Sequence, residues 1–195
     1  MLTILFGSNN LHKLQEVKRI LSKFNIISPN DLGFSEEAIE DGTTFRENAI
    51  IKARFYAERL NIPCLADDSG LMIDALDGLP GVRSARFAGG VEENIKLILK
   101  LMKDVPFEKR TARFVCIMAF YNPATKDLYT TEGSVEGIIT FRKKGREGFG
   151  YDPIFFYPYL GKTFAELDIE AKNRLSHRYV ALMEMRDYLI EHLKD

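Results

Sequence analysis

The feature that most constrains this chain lies at its start. Leu2–Phe6 is a short apolar run, Gly7-Ser8-Asn9-Asn10 interrupts it, and Leu11, Leu14, Val17, Leu21 and Phe24 then recur at helical spacing. The order is strand, polar turn, amphipathic helix. The pattern repeats. Asn25–Ser28 reads as a second strand, and Pro29–Gly42 as a polar loop. Thr44-Phe-Arg-Glu47 is a capping box opening a helix to about Leu60, which Asn61-Ile-Pro63 closes. Pro63–Asp68 reads as a strand running into Asp67-Asp68-Ser69-Gly70, with a further short strand at Leu71–Leu76.

After the Leu79-Pro80-Gly81 and Gly89-Gly90 breaks, Val91–Lys103 has a helical pattern. Arg110–Tyr121 and Leu128–Phe141 are long enough for a β-hairpin turning at Asn122-Pro123. Arg142–Pro158 is loop with one short strand near Ile154–Tyr157, and a last amphipathic helix is expected from about Leu175 to Leu193. Helices alternating with strands early, and paired strands later, specify an α/β fold with a mixed sheet.

The 195 residues fit a single domain spanning 1–195, or one domain with a small lobe. An apolar share of 46%, with 14 Phe and 8 Tyr, excludes disorder. Lys and Arg total 27 against 28 Asp and Glu, so nothing draws the whole chain to nucleic acid or membranes, and an anion site must be local. Cys64 and Cys116 lie far apart, as expected of reduced thiols in a cytoplasmic protein. Leu2–Phe6 lacks a basic n-region before it, and no apolar run approaches the ~20 residues of a membrane span.

Five segments carry candidate chemistry. Ser8, Asn9, Asn10, Leu11, His12 and Lys13 lie where a strand hands over to a helix, whose free N–H groups and dipole suit phosphate. Lys13 there opposes the dipole unless an anion joins it; otherwise Asn9 or Asn10 is simply a cap and Lys13 points to water. Asp67 and Asp68 end an apolar strand, a pairing that suits Mg²⁺ or the activation of water, though Asp, Ser and Gly equally form an Asx-turn. Glu40, with Asn48 and Lys52 at i, i+4 behind it, either completes a metal and phosphate site or forms a solvated helix face.

Gly148-Phe149-Gly150-Tyr151-Asp152 allows a flat ligand to approach the backbone and stack on a ring, or else packs a sheet edge. Lys172, Arg174, Ser176, His177 and Arg178 crowd the expected start of the last helix, where cations are unfavourable unless a polyphosphate joins them.

Taken together and in this order, these segments resemble the inosine triphosphate pyrophosphatase family over essentially the whole chain. The matching motifs are Ser8–Lys13, Thr44–Asn48 with Lys52-Ala-Arg54, Ala66–Gly70, Leu79–Arg86, Gly148–Phe156 and Ser176-His-Arg178. The resemblance implies an elongated mixed sheet flanked by helices, with two lobes around a central cleft. It implies Mg²⁺-dependent hydrolysis of the deaminated purine nucleotides ITP, dITP and XTP to monophosphate and pyrophosphate, by a cytoplasmic homodimer with no nucleic-acid or membrane partner.

Carried over, Ser8, Asn10 and Lys13 become triphosphate ligands, with Lys52 near the phosphates. Glu40, Asp67 and Asp68 become the metal carboxylates, with Asp68 activating water. Ser69 and Lys172 contact the nucleotide, and Phe149, Gly150, Tyr151, Asp152, His177 and Arg178 form the base pocket. Asn9 stands where the commoner version of the turn has glycine. Arg178, His177 or nearby backbone N–H groups are the expected donors to the C6 oxygen that distinguishes hypoxanthine and xanthine from adenine. The rival readings are a Maf-like nucleotide pyrophosphatase and a non-catalytic nucleotide-binding regulator.

Overall fold

The computed structural model describes residues 2–193. Seven strands form one mixed sheet in the order β2-β1-β3-β4-β5-β6-β7. They are β1 (Thr3–Phe6), β2 (Asn25–Ile27), β3 (Cys64–Ile73), β4 (Thr111–Tyr121), β5 (Leu128–Ile139), β6 (Phe155–Tyr157) and β7 (Lys162–Thr163). The helices are α1 (Leu11–Ile20), α2 (Phe45–Leu60), α3 (Val91–Leu101), α4 (Ile169–Leu175) and α5 (His177–His192). β1 runs parallel to both β2 and β3, whereas β5, β6 and β7 pair antiparallel. The early alternation and the late pairing therefore give the expected mixed α/β sheet.

The chain divides into two compact units. The first takes the residues up to Asp68, together with 116–133 and the C-terminal part from Arg178; the second takes 69–115 and 134–177. Each has its own core. In the first, Ile4 and Phe6 of β1, Leu65 of β3 and Met118 and Phe120 of β4 pack with Leu14, Val17 and Leu21 beyond the turn, and with Leu182 and Met185 of α5. In the second, Leu71, Ile73, Phe114, Ile139, Phe155 and Phe164 pack with Ile95 and Ile98 of α3. Among the described residues, no helix is long and apolar enough to cross a membrane.

In the first unit, connection handedness decides what faces what. The chain passes from β1 through α1 outward to β2, then through α2 back past β1 to β3. Crossovers between parallel strands are right-handed, so two that move in opposite directions place their helices on opposite faces of the sheet. α1 lies on the Leu65 face with α5. α2 lies on the other, burying Ala49, Ala53, Tyr56 and Ala57.

Two expectations need correction. Asp67-Asp68-Ser69-Gly70 is no turn: β3 runs through it without a break to Ile73. Strand backbone here requires both carboxylates to be buried, which cationic partners on each side make possible. A short helix, α4, was also missed, so Lys172 and Arg174 lie in its last turn rather than at the start of the final helix. There they complement the negative end of α4. Ser176, extended at φ −74° and ψ 148°, separates α4 from α5.

Candidate active site

Because β3 is extended through the aspartates, its pleat points Asp67 and Asp68 to opposite faces. Asp67 shares the face of Leu65 and meets α1 and α5. Lys13 Nζ lies 3.0 Å from its Oδ1 and 2.9 Å from its Oδ2. Arg178 donates to Oδ2 through Nε at 3.3 Å and Nη2 at 3.2 Å, and its Nη1 reaches Glu16 Oε2 at 3.1 Å. Glu16, Asp67 and Arg178 are all buried. Burial by itself pushes the Asp67 carboxyl up; the neighbouring Lys13, Arg178 and Lys52 outweigh it and hold the group well below the usual carboxylate range. Arg178 is likewise held above its ordinary value, its carboxylate partners outweighing its burial.

Asp68 faces α2 and a different set of partners. Asn48 Nδ2 donates to its Oδ2 at 3.0 Å, and Lys52 Nζ stands 4.0 Å from its Oδ1. Lys52 is closer to Glu40, at 2.9 Å from Oε2. Burial, reinforced by Glu40 and Asp67, pushes the Asp68 carboxyl up to about 6 against the pull of Lys52 and the Asn48 hydrogen bond. The Lys52 ammonium is depressed by burial but raised more by Asp67, Asp68 and Glu40. Two adjacent carboxylates are thus driven in opposite directions, the arrangement that separates a fixed charge from a group able to exchange a proton near neutral pH.

Glu40 and Asp68 also fit a divalent cation. A single ammonium stands between them, where a cation already balances both. Among the described residues no three acidic, histidine or cysteine side chains converge on one point. A site of two carboxylates is one that Mg²⁺ can use, since it fills its remaining positions with water and substrate phosphate. Asp67 has both oxygens engaged by Lys13 and Arg178.

At the start of α1, Asn10 is the cap: its Oδ1 accepts from the N–H groups of His12 at 3.0 Å and Lys13 at 3.2 Å. Ser8 Oγ accepts the Asn10 N–H at 3.2 Å, and Asn9 Oδ1 accepts the Asn30 N–H at 3.2 Å. The anion that reconciles Lys13 with the helix dipole is Asp67. Among the described residues, the non-glycine residues at positive φ are Asn61, Asp77 and Lys126, so Asn9 makes this turn without left-handed backbone. Leu11 is exposed, as is His12.

The base-side candidates form a second cluster within the other unit. Asp152 accepts the Phe149 N–H at 2.7 Å and is ion-paired with Lys172, whose Nζ also stands 4.1 Å from the centre of the Phe149 ring. Gly148 has φ +75°, and a Cβ there would come within 3.2 Å of Lys172 Nζ, so the turn requires glycine. Phe149 is 43% exposed. Gly150 follows in another left-handed turn, and Tyr151 is a buried strut whose hydroxyl donates to the Ser84 carbonyl at 2.6 Å. His177 stacks on Phe114 at 5.0 Å and 14°. Ser69, half-buried, follows Asp68 on β3.

Glu16 is the member of the site that the sequence reading missed. An acid beside Val17 on an amphipathic helix gives no signal of burial; Arg178, 162 residues away, supplies the reason.

A model of the Ham1 family matches residues 4–188. The chain is 43% identical to a dITP/XTP pyrophosphatase of Thermoanaerobacter sp., over 98% of each chain. It is 48% identical to a dITP/XTP pyrophosphatase of Halalkalibacterium halodurans, over 94% of this chain and 96% of that one. Among solved structures it is similar to the Staphylococcus aureus Ham1 protein, with a TM-score of 0.90 and 38% identity over 97% of this chain and 98% of the other. A HAM1 protein from Coxiella burnetii gives 0.91 and 39%, over 98% of this chain and all of its own.

Proposed function

Because this chain belongs to the Ham1 family, we propose that it hydrolyses the α–β phosphoanhydride of ITP, dITP and XTP, releasing pyrophosphate and the monophosphate and so clearing deaminated purines from the nucleotide pool. The substrate class follows from relatives of 43% and 48% identity that are dITP/XTP pyrophosphatases. The chemistry rests on one observation, the opposed environments of Asp67 and Asp68.

In this reading the Asp68 carboxylate takes the proton from the attacking water. Glu40 and Asp68 would hold Mg²⁺, which would supply charge neutralisation at the phosphates. Lys52 balances the two carboxylates and would also face the phosphates. Asp67 keeps Lys13 in place as a phosphate ligand and holds Arg178 buried. That assigns Asp67 to positioning rather than to the metal, and it moves Arg178 from reading the base to bracing the site. Ser8 and Asn10 shape the turn that receives phosphate, and Asn10 also offers its amide nitrogen to it.

On the base side, Phe149 stacks the purine, and Lys172 and Asp152 supply paired donor and acceptor groups at its edge, with Ser69 and His177 completing the nucleotide contacts. A donor at the C6 oxygen would leave adenine's amino group facing another donor, which discriminates strongly. The proposal includes a homodimer working in the cytoplasm, in keeping with two buried free cysteines. Sedimentation at micromolar concentration tests the dimer.

The experiment is pyrophosphate release from ITP, dITP, XTP, ATP and GTP, with and without Mg²⁺, with the nucleotide product identified. Fast Mg²⁺-dependent release with IMP or XMP, and slow ATP and GTP, is expected. Free phosphate with a diphosphate product would move cleavage to the γ-phosphorus and overturn the reading.

A further inference from the structure

Asn48 is 2% exposed and uses both ends of its amide. Its Oδ1 accepts the Gly42 N–H at 2.9 Å, and its Nδ2 donates to Asp68 Oδ2 at 3.0 Å. The partners fix the orientation, because a backbone N–H can face only the oxygen and a carboxylate only the nitrogen. One side chain therefore ties β3 to the loop that carries Glu40, two residues before Gly42. The approach is close: a Cβ on residue 42 would lie 2.7 Å from Asn48 Oδ1 and 3.1 Å from the Asn48 backbone nitrogen. With Oδ2 held by the amide, Asp68 turns its other oxygen toward Lys52, the cation that also holds Glu40.

We propose that Asn48 is a positioning residue, which fixes the rotation of the Asp68 carboxylate and its separation from the Glu40 loop so that both carboxylates meet one divalent cation. The inference rests on the assignment of Glu40 and Asp68 made above. Replacing the amide alone is not neutral, because near-neutrality requires that both partners of a hydrogen bond be replaced together. Here each partner is a group that stays behind, one of them a carboxylate.

The test uses Asn48→Leu, which keeps the branched side-chain skeleton and removes both bonds, and Asn48→Asp, which keeps the acceptor for Gly42 and loses the donor to Asp68. Two readouts are needed: steady-state ITP hydrolysis, and the rise in melting temperature with Mg²⁺ in the absence of nucleotide. Asn48→Leu should lower kcat about 10- to 100-fold with KM for ITP nearly unchanged, and shift the Mg²⁺ midpoint of the melting curve several-fold upward. Asn48→Asp should lose kcat to a similar degree.

Wild-type kcat in Asn48→Asp would reduce the residue to a loop anchor and overturn the proposal. So would Asn48→Leu with a lower melting temperature but unchanged kcat and Mg²⁺ midpoint. If the wild type shows no Mg²⁺-dependent ITP hydrolysis, while Mg²⁺ still raises its melting temperature and Asn48→Leu shifts that midpoint, the functional reading fails and the positioning role stands.

Discussion

Asp67 and Asp68 are chemically identical, adjacent and both buried, yet the two faces of β3 treat them in opposite ways. On the α1 and α5 face, Asp67 meets an ammonium and a guanidinium and stays charged. On the α2 face, Asp68 shares its nearest cation with Glu40 and is pushed up to about 6. The contrast comes from topology rather than from local sequence. Pleating separates the side chains, and two crossovers of fixed hand bring different helices to the two faces. One face gains a fixed charge, the other a carboxyl able to take up a proton closer to neutral pH.

The strongest way to break this contrast is to remove the reactive partner. Asp68→Asn should lower turnover on the order of 10³-fold, with circular dichroism unchanged. Turnover within tenfold of wild type would take Asp68 out of the chemistry. Removing the rigid partner should instead cost stability. Asp67→Asn leaves the buried Arg178 and the half-buried Lys13 short of a counter-charge, which typically costs about 3–5 kcal/mol. For a chain of this size that lowers the melting temperature on the order of 10 °C. A melting temperature within about 2 °C of wild type would show that the network contributes little.

Acid–base titration sharpens the same comparison without touching the substrate. The folded Asp68 carboxyl titrates near 6 against an ordinary 3.8, so the folded state binds more protons than the unfolded state between those values. Stability from this group therefore falls as pH rises through that window, and the full penalty of about 3 kcal/mol applies above 6. Asp67 has the opposite sign, because its depressed carboxyl contributes stability above 3.8 that is lost as pH falls below it. In urea melts with EDTA, Asp68→Asn should be more stable than wild type at pH 8, with the advantage gone near pH 4. An equal advantage at both pH values would contradict the assigned environment.

Much of this was legible in the sequence, because local patterns carried it. The Thr44–Glu47 capping box, the apolar stripe of α1 and the alternation of strand with helix all report on neighbours a few residues away. Glu40, Asn48 and Lys52 could be grouped because they lie close along the chain. The failures involve long separations. The straight course of β3 through Asp67-Asp68 depends on Arg178, 111 residues distant, and the burial of Glu16 depends on the same side chain. α4 was missed because its seven residues are too short to show a period, and its basic last turn was read as the start of α5. Asp168, whose side chain accepts the Ala171 N–H at 2.8 Å, was the available signal for that helix.

The smallest expected effect concerns Asn10, where a cap and a phosphate site compete for the same groups. The N–H groups of His12 and Lys13, which a phosphate would use at a helix start, are already satisfied by Asn10 Oδ1. A phosphate can take them only by displacing that oxygen, so the two roles predict different outcomes. As a cap alone, Asn10→Ala loses about 1 kcal/mol, a fall of about 2–4 °C in melting temperature, and frees two N–H groups for phosphate, so KM for ITP stays level or drops. As a triphosphate ligand in its own right, Asn10→Ala also raises KM several-fold, because the amide nitrogen that Asn10 would offer to phosphate is lost. We expect both the small stability loss and the higher KM. A lower melting temperature with an unchanged or lower KM would assign Asn10 to the helix alone, leaving Lys13, held by Asp67, as the phosphate ligand of this turn.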